Sequence, residues 1–232
     1  MKERGDVAQV GERYVRNVQV GGSIPPISTI ILDEELSVKR TAQIERKTRE
    51  TAISVTMNLD GAGNYVVDTG IPFMSHMFEL MAAHGFFDLD IQAKGDTAVD
   101  YHHTVEDLGI CLGTAINQAL GDKKGIKRYG QAMVPMDEAL ANVVIDISNR
   151  PYLSYRVSLK KTVTGRFDIE ILKEFFRALA NYAGISLHVE LLTGNDPHHC
   201  AEAIFKAFAR ALDQASQKEV RLSDVPSTKG LL

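Results

Sequence analysis

The apolar positions of this chain change period twice in the same order. Residues 52–59 and 140–147 alternate apolar with polar or small side chains, the two-residue repeat of a half-buried strand, and shorter β-rich runs follow at 65–68 and 152–159. The turn residues Asn149-Arg150-Pro151 are expected to join the second pair of strands. Next come HMFELMAAHGFFDL at 76–89 and EFFRALANYAGISL at 174–187, which align without a gap. Each has apolar residues at helical spacing, then a Gly suited to ending a helix, then a strand at 89–93 or 187–192. A second helix closes each unit, at 107–120 and 203–215. The pattern predicts an α+β fold of two duplicated β-β-α-β-α halves, 40–130 and 131–232, each a small sheet with helices on one face.

Both halves carry the string His-His-x-x-Glu, as His102-His103-Thr104-Val105-Glu106 and His198-His199-Cys200-Ala201-Glu202. Helix residues three or four apart share a face, and imidazole with carboxylate suits Mn, Fe, Ni, Cu or Zn, so each string can chelate from one element. Adjacent histidines project roughly 100° apart, so one string can feed two metals. A single copy is more often a satisfied His pair. Two copies in equivalent places reverse those odds.

Composition narrows the class without choosing the chemistry. The 232 residues, 44% apolar and 24% charged, have ample material for a core, as one large domain or two small ones. A net charge of −4 gives no reason to expect nucleic acid, although a local basic pocket stays open. No run of about 18 apolar residues offers a membrane span. Cys111 and Cys200 form no CxxC and read as small buried residues or free thiols, which fits a reducing cytoplasm. Residues 1–39 lack a sustained period or a signal-peptide pattern and are expected to be a disordered extension. Within them VAQVGERYVRNVQVGGSIPPIST reads like a translated transfer-RNA gene, which puts the expected native start near Leu36 or Val38. A peptide covering 10–25 in the source cell would refute that start.

From Arg40 onward the chain resembles the imidazoleglycerol-phosphate dehydratases, manganese enzymes of histidine biosynthesis. The resemblance is carried, in order, by RKTRETAI (46–53), TGIPFMSHM (69–77), HHTVEDLGI (102–110), ALGDKKGIKRYG (119–130), DEAL (137–140), NRPYL (149–153), HHCAEAIFKAFARAL (198–212) and PSTKGLL (226–232). It implies loss of water from D-erythro-imidazole-glycerol phosphate to give imidazole-acetol phosphate. The lost hydrogen is only weakly acidic, so the implied route deprotonates the ring to a metal-stabilised imidazolate, expels hydroxide through a diazafulvene and removes the carbon-bound proton with a base.

The same resemblance implies two Mn²⁺ per active site, held by His76, His102, His103, Glu106, Glu174, His198, His199 and Glu202. Glu174 stands where relatives often have a histidine, and Ser75 where they usually have an aspartate that would fix the His76 tautomer. His188 competes with Glu174, but register sets it opposite Asp90 on a strand, as a structural histidine; His84 is read the same way. Glu50 is the implied acid/base residue. Arg128, Arg150, Lys206, Ser227 and Lys229 match phosphate-binding positions, with Lys206 and Arg210 expected on a face left free by Ile204, Phe205, Phe208 and Leu212. The family builds trimers into a cage of 24 chains, roughly 600 kDa here, with metals at subunit contacts. Two other readings stay open at this point: a dinuclear metallohydrolase of phosphoesters, and a cage that stores metal without catalysis.

Overall fold

The computed structural model describes residues 39–230 and 232, so the expectations about the N-terminal extension lie outside the described residues. In the first half β1 (Thr41–Lys47) and β2 (Thr51–Asn58) form a hairpin, followed by β3 (Tyr65–Asp68), α1 (Pro72–Gly85), β4 (Asp88–Gly95) and α2 (His102–Leu120). The second half repeats the run with β5 (Tyr129–Met136), β6 (Ala139–Ile147) and β7 (Tyr152–Arg156). A small hairpin of β8 (Val163–Thr164) and β9 (Phe167–Asp168) intervenes before α3 (Leu172–Ala183), β10 (Ile185–Thr193) and α4 (Pro197–Ser216). The two sheets have the same order, β1-β2-β4-β3 and β5-β6-β10-β7, and in each the last pair alone is parallel. The α+β class and the duplication are therefore those expected. None of the described helices is long and apolar enough to cross a membrane.

Each half opens with one strand more than the sequence pattern predicts. In β1 the inward positions are Ala42, Ile44 and Arg46, and Arg46 reaches the buried Asp107 of α2 at 2.9 Å. In β5 they include Gly130 and Ala132, and Pro135 lies among the outward positions of this edge strand. Small or charged inward residues blur the alternation, and an edge strand tolerates a Pro that a central one would not. Asn149-Arg150-Pro151 does join β6 to β7, as expected, but the two strands do not pair. The chain leaves β6 there, and β10 inserts between β6 and β7, antiparallel to one and parallel to the other.

The layers run sheet, helices, helices, sheet: α2 lies on β1 and β2, α4 on β5 and β6, and between the sheets α2 meets α3 while α1 meets α4. Phe78, Phe175, Phe176, Phe205 and Phe208 fill the centre, with Phe175 stacked on Phe205 at 5.6 Å between centroids. Each such side chain contributes roughly 1.5–3 kcal/mol by burial. Cys111 and Cys200 are free and fully buried, one in α2 and one in α4. Gly109 and Gly113 set the α2–α3 spacing, since a Cβ on either would lie 2.5 Å from the Phe175 carbonyl oxygen or 2.6 Å from that of Leu179.

Both helices that precede a central strand end on a left-handed residue. For α3 it is the expected Gly184, but for α1 it is Phe86 at φ 58°, one position past the expected Gly85. Gly85 is excluded from bearing a side chain for another reason: its Cβ would fall 2.3 Å from the Phe87 ring.

Candidate metal centre

Both His-His-x-x-Glu strings sit on the first two turns of their helices, so α2 and α4 begin earlier than the periodicity suggests. Asp100 accepts the His102 amide at 2.8 Å, and Asp196 caps α4 by accepting the amides of His198 and His199. A short acidic side chain satisfies the orphan amides there, which starts the helix ahead of its first apolar residue. The paired rings stand nearly perpendicular, at 85° for His102 and His103 and 90° for His198 and His199.

One trio of the expected ligands converges. His76 of α1 and His198 and Glu202 of α4 bring their ligand atoms within 4.8 Å of one another. Glu202 Oε1 lies 3.2 Å from His76 Nε2 and 2.9 Å from His198 Nε2, while Lys206 donates to Oε2 at 2.6 Å. Burial works to raise the Glu202 pKa, but hydrogen bonds from Lys206 and His76, the Lys206 charge and His198 together hold it down at about 2. The site thus presents a buried, ionised carboxylate beside two imidazoles, a donor set that suits a borderline divalent cation. Lys206 is itself partly buried against Glu202 and Met136 rather than on a free face. Almost every face of α4 is covered, because it is wedged between sheet and helix.

The equivalent trio of the other pairing, Glu174 of α3 with His102 and Glu106 of α2, is looser. His102 Nε2 and Glu106 Oε2 are 3.9 Å apart, and Glu174 ion-pairs with Arg177. His102 and Glu174 share the walls of a cleft of about 570 Å³ with Asp100, Tyr101 and Arg166. Phe167, the first residue of β9, links the two regions, stacked on Phe73 at 4.6 Å and on Tyr101 at 6.0 Å; Phe73 in turn meets the His198 ring edge-on. His188 lies on the outer face of its sheet against Tyr152, away from the helix face that carries Glu174. Ser75 bonds Thr69, not an imidazole, and the carboxylate nearest His76 Nδ1 is Glu79 at 3.7 Å.

His103 and His199 stand outside both trios, each with carboxylates of its own. His103 Nδ1 is 3.0 Å from Asp96 Oδ2 and 3.8 Å from Glu50, the expected acid/base residue, which is half-exposed on the β1–β2 turn. His199 Nδ1 is 2.8 Å from Glu138 Oε2 on the β5–β6 turn, with Asp137 3.8 Å from its other nitrogen. Sequence reasoning missed Asp96 and Glu138 as partners of these rings. A usable signal was the DEAL string, which holds Glu138.

The expected phosphate cluster gathers only in part. Arg128 is buried; its guanidinium grips Asp146 through Nε and Nη2 and the Pro226 carbonyl through Nη1. Asp146 also faces the exposed Arg150 at 3.7 Å, and Ser227 and Lys229 follow Pro226 in the same loop. Lys206 lies beside the His76 trio, bound to Glu202.

The profile of the imidazoleglycerol-phosphate dehydratase family matches residues 69–212. The chain belongs to that family. Among curated relatives named imidazoleglycerol-phosphate dehydratase, that of Geobacter metallireducens is 54% identical over 195 residues, covering 84% of this chain and 100% of the relative. That of Geobacillus kaustophilus is 55% identical over 193 residues, covering 83% and 99%. The crystal structure of the dehydratase from Staphylococcus aureus superposes with a TM-score of 0.70 at 41% identity, over 77% of this chain and 99% of the other. The structure from Pyrococcus furiosus gives 0.71 at 35% identity, over 82% and 100%. An imidazoleglycerol-phosphate dehydratase is a hydro-lyase, so the family brings an enzyme class as well as a fold.

Proposed function

We propose that this chain removes water from D-erythro-imidazole-glycerol phosphate to give imidazole-acetol phosphate, in histidine biosynthesis. The observation that carries the proposal is the His76–His198–Glu202 trio, a preformed two-nitrogen, one-carboxylate donor set in a chain of this family. The full proposed ligand set adds His102, His103, Glu106, Glu174 and His199, for two Mn²⁺ per active site. When bound, a divalent cation supplies the positive charge that stabilises the substrate ring as an imidazolate. Against burial, Lys206 and the two imidazoles hold the Glu202 pKa down at about 2, so its carboxylate is ready for that cation without losing a proton first.

Glu50 acts as the acid/base: it takes the carbon-bound proton from the diazafulvene left by loss of hydroxide, giving an enol that becomes the ketone. Its half-exposed carboxylate near His103 supports this role. Arg128, Arg150, Lys206, Ser227 and Lys229 take the phosphate; Arg128 also holds the Pro226 carbonyl and Asp146, the carboxylate that faces Arg150. Lys206 contributes charge from the metal side.

Three donors fill half of an octahedron, which favours completion of the site by further groups, including those of a second copy. We therefore extend the proposal to the family's assembly of trimers into a cage of 24 chains, with a small phosphorylated imidazole as the ligand and a cytoplasmic location. The deciding experiment is conversion of imidazole-glycerol phosphate by metal-stripped protein with and without Mn²⁺. Activity that appears only with Mn²⁺ is expected; folded, Mn²⁺-loaded protein without turnover would sink the proposal.

A further inference from the structure

The two halves treat one duplicated position differently. Glu50 and Glu138 each immediately precede the second strand of their half, β2 or β6, and each lies near the second histidine of its string. The loops after β4 and β10 correspond as well: a Cβ on Gly95 would strike Thr104, and one on Gly194 would strike Cys200, which occupy the same place in the two strings. The residue after each of these glycines is Asp96 in one half and Asn195 in the other. Where the loop supplies a carboxylate, Asp96 takes the imidazole at 3.0 Å and Glu50 stays back at 3.8 Å. Where it supplies a neutral amide side chain, Glu138 closes to 2.8 Å and takes the imidazole itself.

We infer that Glu138 is a positioning residue that fixes His199 in the Nδ1–H tautomer, leaving Nε2 as its ligating nitrogen, and that Asp96 does the same for His103. A carboxylate can only accept, so Nδ1 carries the hydrogen and the lone pair for a metal falls on Nε2. Glu138 is well held for the task, because its Oε1 accepts the backbone amides of Asn195 at 3.2 Å and Asp196 at 2.8 Å, leaving Oε2 for the ring. Asp96 also explains the freedom of Glu50: with His103 already partnered, Glu50 need not serve the ring and keeps its proton-transfer capacity. The inference rests on the metal reading proposed above.

Those two amides give the test its direction. In Glu138→Gln they draw the new side-chain oxygen to the Oε1 position, so the amide nitrogen faces His199 and its hydrogens demand an accepting Nδ1. That is the opposite tautomer, with Nε2–H turned to where the metal must bind. Mn²⁺ affinity is measured by equilibrium dialysis on the wild type, Glu138→Gln, Glu138→Ala and the double variant Glu138→Gln/Asn195→Asp, with thermal unfolding of each. The expected result is a loss of roughly 10- to 100-fold in affinity at one class of site for Glu138→Gln. That loss is larger than for Glu138→Ala, although Gln is the closer replacement and the more stable protein. Asn195→Asp should recover affinity in the double variant by rebuilding the first half's arrangement. A merely structural Glu138 predicts the reverse order, with Gln milder than Ala, and that order, or equal affinities, overturns the inference alone. A wild type that binds no Mn²⁺ overturns the metal reading and this inference together.

Discussion

Glu202 shows how one side chain serves three neighbours. It accepts from Lys206 through one oxygen and faces two imidazoles through the other, so it is charged in a place where burial alone would neutralise it. Glu202→Gln removes the anion while keeping the shape. Mn²⁺ affinity should fall at least 10-fold in equilibrium dialysis, and an unchanged affinity would mean that the trio holds no metal. At this scale the two His-His-x-x-Glu strings were legible because a helix converts their spacing directly into a shared face, whereas His76 and Glu174 were named only through the family resemblance and the register of the repeat. Glu138 was not legible, since a turn 61 residues from His199 is brought to it only by the pairing of β5 with β6 and of β6 with β10; Asp96, 7 residues from His103, lies in the loop after β4, whose course the periodicity does not give. Arg128 was legible as a charge near an anion site but not as a residue committed to Asp146 and Pro226.

The elements carry their own tests. At the α2–α3 crossing, helix propensity alone favours Gly113→Ala by about 1 kcal/mol, whereas the contact with the Leu179 carbonyl opposes it. Overpacking of this kind costs roughly 1–3 kcal/mol, so a lowered denaturant midpoint is expected, and a raised one would mean the helices can part. Phe86 is the converse case. It is exposed and left-handed at the end of α1, where a side chain costs roughly 1–2 kcal/mol that glycine avoids. Phe86→Gly should therefore raise the melting temperature modestly, and a fall would show that the ring packs on something in the assembled protein.

The turn before β3 supplies a pH test. Asp88 accepts the amides of Ala62 and Asn64, and the Ala62 bond is the largest cause of its lowered pKa. Since the folded value lies below the ordinary 3.8, this carboxylate stabilises the fold above that pH and ceases to as pH falls through the lowered value. The difference in melting temperature between wild type and Asp88→Asn should shrink from pH 7 to pH 3; a constant difference would remove the charge from the explanation. Element types with clean periods were readable in advance. β1 and β5 were not, because Arg46, Gly130 and Pro135 interrupt the alternation while still fitting edge strands.

For the whole molecule, the duplication creates two crossed pairings: a helix from each half meets at the His76 trio and another pair at His102 and Glu174. Neither trio lies within one half, so the halves cannot be separated without dividing both sites. That arrangement could not be read from the repeat, which aligns the halves but does not say how they face. The proposed cage predicts a native mass of roughly 600 kDa that falls when chelator removes metal from subunit contacts. Native mass spectrometry before and after chelation checks this, and a particle indifferent to chelator would detach the metal from assembly.

The two thiols turn the duplication into a measuring device. Cys111 and Cys200 are fully buried, one in each half, and burial pushes both thiols up to about 11, so alkylating reagents have neither access nor thiolate to react with. Labelling then requires a local opening. Peptide mass spectrometry would time the opening of α2 separately from that of α4, and so reveal whether two copies of one ancestral unit still breathe independently.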